Sequence, residues 1–241
     1  MTLNLTINGV RVEAEEGESL LDVARRNGFE IPSLCHHEAV AAYGACRLCL
    51  VEVTKGGRKK LTTSCNYEVL GGIEVVTESA AIRRHRAMVL ELILAEAPES
   101  ATVKALAAEY GVTRSRFAAS GAGEDRDGCI LCGLCARVCA EVVGANALTF
   151  RKRGDNRQMG TPFVEEPQTC IACGACAWVC PTSCVGFDEQ NGERKVHRWK
   201  RSLPLAKTEK GHAFAPQFQL FHFRKLAKLE ADFYKKAPGE R

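Results

Sequence analysis

The chain has 241 residues, 46% of them hydrophobic, which is enough for one large domain or two to three small ones with their own cores. Its net charge of +4 is too small to argue for a nucleic-acid or membrane partner. Thirteen cysteines are far above ordinary usage, and they are the feature to be explained. Residues 1–10 lack the charged-then-apolar layout of a signal peptide, and no run approaches the roughly 18 apolar residues of a membrane span. An odd cysteine count also fits poorly with a complete disulfide set. The expectation is therefore a cytoplasmic protein whose thiolates hold metal. Charge is unevenly placed: residues 191–241 carry thirteen Lys/Arg against five Asp/Glu, a net of +8, and the remainder is net −4.

In chain order, Leu3, Leu5 and Ile7 alternate with polar residues and predict a strand. Asn8-Gly9 predicts a type I′ hairpin turn, which needs positive φ at both positions, and Val10 and Val12 open the second strand. Ser19 predicts a helix cap, with Asp22 three residues later, a helix over residues 20–27 and Gly28 just past its end. Residues 50–53 and 73–77 supply two more strands. Strand, hairpin, helix, loop and strand is the order of a β-grasp sheet. Ser79 caps a second predicted helix over residues 80–95, with Val89, Leu92 and Ile93 on its buried face and Pro98 beyond its end. A short helix over residues 102–110 stops at Gly111, and residues 119–128, rich in Gly, Ala and Asp, read as a joint between domains. The expected division is 1–79, a connector at 80–118, a cysteine-rich domain at 119–190 and a basic extension at 191–241.

Cys35, Cys46, Cys49 and Cys65 are spaced x10, x2 and x15. A [2Fe–2S] cluster needs four thiolates, two per iron, presented by a tight loop and one return from the sheet. Gly44, Ala45, Arg47 and Leu48 leave backbone N–H groups free to face the sulfurs. Zinc sites come instead as two close pairs, and here only one close pair exists.

Cys-x2-Cys-x2-Cys-x3-Cys then occurs twice, at Cys129, Cys132, Cys135, Cys139 and at Cys170, Cys173, Cys176, Cys180, the second run followed by Pro181. This is the signature of two-cluster bacterial ferredoxins, in which the fourth cysteine of each run ligates the other [4Fe–4S] cluster. Cluster A is then assigned Cys129, Cys132, Cys135 and Cys180, and cluster B Cys139, Cys170, Cys173 and Cys176. Gly133 and Gly174 avoid a side chain against each cluster. Cys184 is left over and is read as a small buried residue.

Residues 1 to about 190 resemble the iron–sulfur diaphorase subunit of NAD-linked bidirectional [NiFe]-hydrogenases. They also resemble the N-terminal region of the large iron–sulfur subunit of respiratory complex I and related parts of formate dehydrogenases and [FeFe]-hydrogenases. The segments carrying the likeness are Ile31-Pro-Ser-Leu-Cys35-His, Gly44-Ala-Cys46-Arg-Leu-Cys49-Leu-Val-Glu52, Cys129-Ile-Leu-Cys132, Val138-Cys139 and Val179-Cys180-Pro181-Thr182. The resemblance implies an α+β chain: a β-grasp [2Fe–2S] ferredoxin domain, then a two-[4Fe–4S] bacterial-ferredoxin-like domain with a basic C-terminal extension. It implies a subunit that passes electrons between a flavin-bearing NAD(P)H-oxidising subunit and a catalytic subunit. One departure stands out: the family carries a further [4Fe–4S] cluster held by one His and three Cys, and no cysteine lies between Cys65 and Cys129 here. His85 alone holds no cluster and is read as a surface residue among Arg83, Arg84 and Arg86, with residues 96–105 replacing the missing loop.

The extension, with Trp199, Phe214, Phe218, Phe221, Phe223, Phe233 and Tyr234, is read as a docking surface for a partner subunit. His222, Leu226, Leu229 and Phe233 recur at helical spacing, with Lys225, Lys228, Lys235 and Lys236 nearby. No Gly-x-Gly-x-x-Gly follows a strand, so no dinucleotide or flavin site is expected, and no substrate chemistry within the chain. The leading reading is an electron-wiring subunit of a soluble multi-subunit oxidoreductase. A free polyferredoxin shuttle, the iron–sulfur subunit of a succinate dehydrogenase or fumarate reductase, and a zinc-binding interaction module are the competitors. The x10 spacing and the two intact runs argue against the succinate dehydrogenase type.

Overall fold

The Asn8-Gly9 turn takes the positive φ values that a type I′ hairpin needs, 49° and 83°. It joins β1 (Thr2–Ile7) to β2 (Val10–Glu15) in continuous antiparallel register. This computed structural model describes residues 1–117, 128–162 and 166–229. They fall into two units, residues 1–117 with 128–133, and residues 134–162 with 166–229. The expected joint from residue 119 onward lies outside the described residues up to Gly128, as do Phe233, Tyr234, Lys235 and Lys236.

In the first unit α1 (Leu20–Arg26) starts where Ser19 accepts a hydrogen bond from the Asp22 N–H. The sheet is completed by β3 (Leu50–Lys55), β4 (Arg58–Thr63) and β5 (Glu74–Val76), in the order β2-β1-β5-β3-β4, with β5 parallel to β1 and the other pairs antiparallel. Leu5, Ile7, Val51, Val53 and Val75 alternate inward and pack on Leu20, Leu21, Val23 and Ala24 of α1 in one core, which also takes in Cys49 and Cys65. Sequence reasoning overlooked β4. Half of its residues are charged, as suits an edge strand, and its one local signal is the Gly56-Gly57 turn, both residues at positive φ.

Two helices follow within the same unit. α2 (Ala80–Glu96) is capped by Ser79, which accepts from the Ile82 N–H, and α3 (Ala101–Glu109) by Ser100, which accepts from Val103. Residues 80–117 fall in the same compact unit as the β-sheet. The expected buried face of α2 is corrected: Leu92 is exposed and Val89 half-buried, while Ile82, Arg86, Leu90, Glu91, Ile93 and Leu94 point inward. His85 is exposed as read from the sequence, but its neighbour Arg86 is 1% exposed. Burial of an arginine is possible because its guanidinium finds enough acceptors. Nε donates to Leu48 O (3.0 Å), Nη2 to Leu50 O (2.8 Å) and Thr77 O (3.1 Å), and Nη1 to Glu78 (2.8 Å) and the Tyr110 hydroxyl (3.1 Å).

Glu91, also buried, accepts from the Arg116 backbone N–H (2.8 Å) and from its Nε and Nη2 (2.7 and 2.8 Å). The Arg116 side chain holds the carboxyl down at about 2, against 4.5 ordinarily. A carboxyl depressed in the folded state stabilises fully above its unfolded value, and that contribution is lost as pH falls towards the folded value. Urea midpoints measured from about pH 6 to about pH 4, above the range where acid releases sulfide, should fall more steeply for the natural chain than for Glu91→Gln. Equal slopes would show that the pair is energetically silent.

The second unit holds α4 (Leu134–Arg137), a single π turn (Val138–Val142), a β6–β7 ribbon (Thr149–Arg151 with Gln158–Gly160) and α5 (Ala175–Trp178). Its larger sheet is antiparallel, β8 (Phe187–Gln190), β9 (Glu193–Val196), β10 (Arg201–Lys207) and β11 (Ala213–Pro216), with α6 (Gln217–Ala227) against β10 and β11. The expected boundary at 190/191 falls inside the β8–β9 hairpin. As far as residue 229 the extension is folded onto its own unit: His222 Nε2 donates to Val143 O (2.7 Å), and Phe223 packs on the Val143, Ala145 and Ile171 core. Among the described residues no helix is long and apolar enough to cross a membrane.

Candidate functional site: three cysteine constellations

The first constellation lies wholly in the first unit. Cys35, Cys46, Cys49 and Cys65 are all buried. Cys49 leads into β3, and Cys65 sits in the turn after β4, tied back by Ser64, whose N–H and hydroxyl both donate to Cys49 O (2.9 Å each). The loop from Cys35 to Cys49 is coiled tightly, with Gly44 and Arg47 at φ 70° and 58°. A Cβ on Gly44 would meet the Asn66 amide at 3.2 Å, a tight approach that adds to the conformational preference for glycine at this positive φ. The turn before Cys35 is pinned to α1: Arg25 Nη2 donates to Ile31 O and to the Ser33 hydroxyl, and His36 Nε2 lies 2.9 Å from Asp22.

The sulfurs form two pairs. Cys46 donates to Cys35, and this, reinforced by burial, pushes its thiol well above the ordinary range. Cys65 likewise donates to Cys49 and is pushed up, while Cys49, receiving that bond, is pulled down to about 6. Four thiolates this close would repel one another in a low-dielectric site unless a cation shared them. Cys35, Cys46, Cys49 and Cys65 are the residues that would hold a [2Fe–2S] group here. Backbone donors are already aimed at the sulfur: Leu34 N–H at Cys46 (3.4 Å) and Cys46 N–H at Cys35 (3.3 Å). The donor set fits a [2Fe–2S] group, whose chemistry is acceptance and release of one electron.

The doubled run shows its repeat in the backbone. Leu131 and Ala172, each preceding the second cysteine of its run, are at φ 53° and 50°, and Gly133 and Gly174, each following it, are at 73° and 81°. Left-handed residues are costly outside glycine, so their recurrence at matching positions marks one loop geometry used twice. Cys139, Cys170, Cys173 and Cys176 are brought together around a small cavity of about 20 Å³, lined otherwise by apolar side chains such as Val143, Leu148 and Ile171. Burial pushes the thiols of Cys139 and Cys170 up, and that of Cys176 to about 12. N–H donors again meet the sulfur: Ala147 N–H at Cys139 and the Trp199 indole at Cys176, both 3.3 Å. Such a cavity of soft donors, with N–H groups turned inward, fits an anionic [4Fe–4S] group. Among the described residues no three His, Cys, Asp or Glu side chains converge on a single ion.

Of the third set, Cys129 and Cys132 belong to the first unit, and Cys135 and Cys180 to the second. Cys129, Cys132 and Cys135 are buried and Cys180 is half-buried. Cys184, the unassigned cysteine, lies 3.5 Å from Cys180 Sγ, and its hydrogen bond is the main reason, with burial, that the Cys180 thiol is pushed up to about 12. Gly174 is also read differently here: a Cβ there would strike the Phe187 ring at 2.7 Å, so the ring occupies the space the glycine leaves. Sequence reasoning missed Arg86 and Trp199 as supports of these sites.

Two family models match the same segments: a 2Fe-2S iron-sulfur cluster binding domain over residues 1–80, and a 4Fe-4S dicluster domain over residues 128–200. The chain is an iron–sulfur protein. It is 33% identical over 181 residues to the NADH-ubiquinone oxidoreductase 78 kDa mitochondrial subunit of Neurospora crassa, a match covering 66% of this chain and 24% of the relative. The NADPH-Fe(3+) oxidoreductase subunit alpha of Geobacter sulfurreducens is 32% identical over 173 residues, covering 64% of this chain and 20% of that one. The chain thus spans about a quarter of the length of these curated relatives. Among solved structures, one chain of an NAD+-reducing [NiFe]-hydrogenase in the H2-reduced state aligns with a TM-score of 0.64 and 28% identity, over 82% of this chain and 93% of the other. The iron–sulfur protein is accordingly related to large subunits of NADH-ubiquinone oxidoreductase and to a chain of an NAD+-reducing [NiFe]-hydrogenase, as the motifs implied.

Proposed function

We propose that the protein is an electron-transfer subunit of a multi-subunit oxidoreductase, relaying single electrons through one [2Fe–2S] and two [4Fe–4S] clusters. The electrons pass between a flavin-containing subunit that oxidises NAD(P)H and a catalytic subunit. The observation that carries this reading is the hydrogenase alignment. It extends over 93% of that chain, so the likeness embraces an entire subunit rather than one module. The [2Fe–2S] group is assigned Cys35, Cys46, Cys49 and Cys65. Cluster A is assigned Cys129, Cys132, Cys135 and Cys180, and cluster B Cys139, Cys170, Cys173 and Cys176.

Within this assignment the protein's own residues do three things. They supply anionic thiolates, donate N–H groups that stabilise the added charge, and exclude water from the buried sulfurs, which together set where the electron rests. Hydride chemistry is left to the flavin partner.

Anaerobic purification of the native chain should give about ten iron and about ten acid-labile sulfide per chain, two plus four plus four. Native material should co-elute with a flavin protein. A lone 26.3 kDa species carrying all its iron would favour the free shuttle instead. Cys46→Ala or Cys49→Ala should abolish the rhombic paramagnetic signal of the [2Fe–2S] group and spare the cubane signals. If that signal survives, the first assignment is wrong.

A further inference from the structure

Trp199 sits in the turn between β9 and β10, and unlike an aromatic residue on a docking surface it is 4% exposed. Its indole Nε1–H donates to Cys176 Sγ at 3.3 Å. The same ribbon sends two arginines to the backbone of the loop that carries Cys170, Cys173 and Cys176. Arg201 Nε donates to Cys170 O (3.1 Å), and Arg194 Nη1 to Ala172 O (3.2 Å) and Cys173 O (3.4 Å). Val196 of β9 is 1% exposed and lines the same cavity. Neither arginine is loosely held: the side chains of both are 12% exposed and paired, Arg194 with Glu189 and Arg201 with Glu166. The basic extension therefore reaches the cysteine cavity from a direction that the doubled run does not supply.

We propose that the β9–β10 ribbon tunes cluster B, Trp199 raising its reduction potential by donating a hydrogen bond to the Cys176 thiolate. This rests on the assignment of Cys139, Cys170, Cys173 and Cys176 to one [4Fe–4S] group. Reduction adds one electron, delivered by a neighbouring reduced iron–sulfur centre, and no proton. It takes the cluster with its four thiolates from a charge of −2 to −3, and much of the added charge resides on sulfur. An N–H donor strengthens its bond to sulfur as that charge grows, so it stabilises the reduced form more than the oxidised form. The two guanidinium groups act in the same direction through their charge. Trp199 is a positioning and tuning residue; it ligates nothing.

The test is Trp199→Phe in the full chain, with anaerobic redox titration followed by paramagnetic resonance. The expected result is that one cubane population titrates about three- to tenfold less readily, a downward shift of about 30–59 mV for one electron. The other cubane and the [2Fe–2S] signal should keep their midpoints, and iron content should be unchanged. A second variant guards against loss of packing: replacing Trp199 by β-(3-benzothienyl)alanine keeps the ring shape and removes only the N–H donor. The same downward shift is expected from it even where the phenylalanine variant loses its cluster. Unmoved cubane midpoints in the benzothienyl variant, with iron retained, would overturn the inference and leave the cluster assignment standing. A natural chain without acid-labile sulfide would overturn the assignment itself.

Discussion

Cys139→Ala should damage the [4Fe–4S] group whose other thiolates come from Cys170, Cys173 and Cys176, not the one served by its immediate neighbours in sequence. Cys139 closes the run that begins at Cys129, yet its side chain lines the cavity of the second run. The π turn over Val138–Val142 carries it there: its sulfur accepts from Ala147 N–H, and Val143 and Ala145 continue into the core beneath Ile171. Loss of one thiolate from a cubane leaves one iron without its protein ligand. The expected outcome is a fall from about ten to about six iron per chain, or conversion of that group to a three-iron form with about nine. Cys139→Ala and Cys170→Ala should give matching paramagnetic spectra, and Cys129→Ala a different one. A Cys139→Ala spectrum that matches Cys129→Ala instead would refute the crossed ligation.

The second large effect is on folding. Arg86→Leu would leave the carbonyls of Leu48, Leu50 and Thr77 without this donor, two of them in buried positions. Each buried acceptor so orphaned costs about 1–3 kcal/mol. Chemical denaturation should show a loss of that size, and the [2Fe–2S] group should be released earlier than the cubanes, because Leu48 and Leu50 flank Cys49. Arg86→Lys should recover only part of the loss, since an ammonium cannot span the carbonyls of Leu48 and Leu50, Thr77 O and Glu78 at once. A loss under about 1 kcal/mol for Arg86→Leu would mean that the network relaxes and contributes little.

Docking on a partner remains part of the proposed function, but the surface available for it is smaller than the aromatic content of residues 191–241 implies. Trp199 and Phe223 are committed to the cubane unit, whereas Phe218, Phe221 and Leu226 of α6 are exposed. Removing residues 205–241 would therefore take away part of the packing under Val143 and Ile171 as well as any docking face.

What was readable from residue order was what depends on near neighbours. The Asn8-Gly9 turn, the Ser19 and Ser79 caps and the spacing of the cysteine runs each involve groups a few positions apart, and local geometry leaves them few options. The doubled run was proposed from residue order for the same reason, because thiolates at x2 spacing can reach one inorganic group. Long-range burial decided the rest. Arg86 looks like one more charge in the run Arg83, Arg84, Arg86 until Leu48 and Leu50, 38 and 36 residues away, bring their carbonyls to it. Trp199 looks like a surface aromatic in a basic tail until the β9–β10 turn sets its indole against Cys176. A polar or aromatic side chain is placed by whichever partners the fold delivers to it, and those partners are distant in sequence.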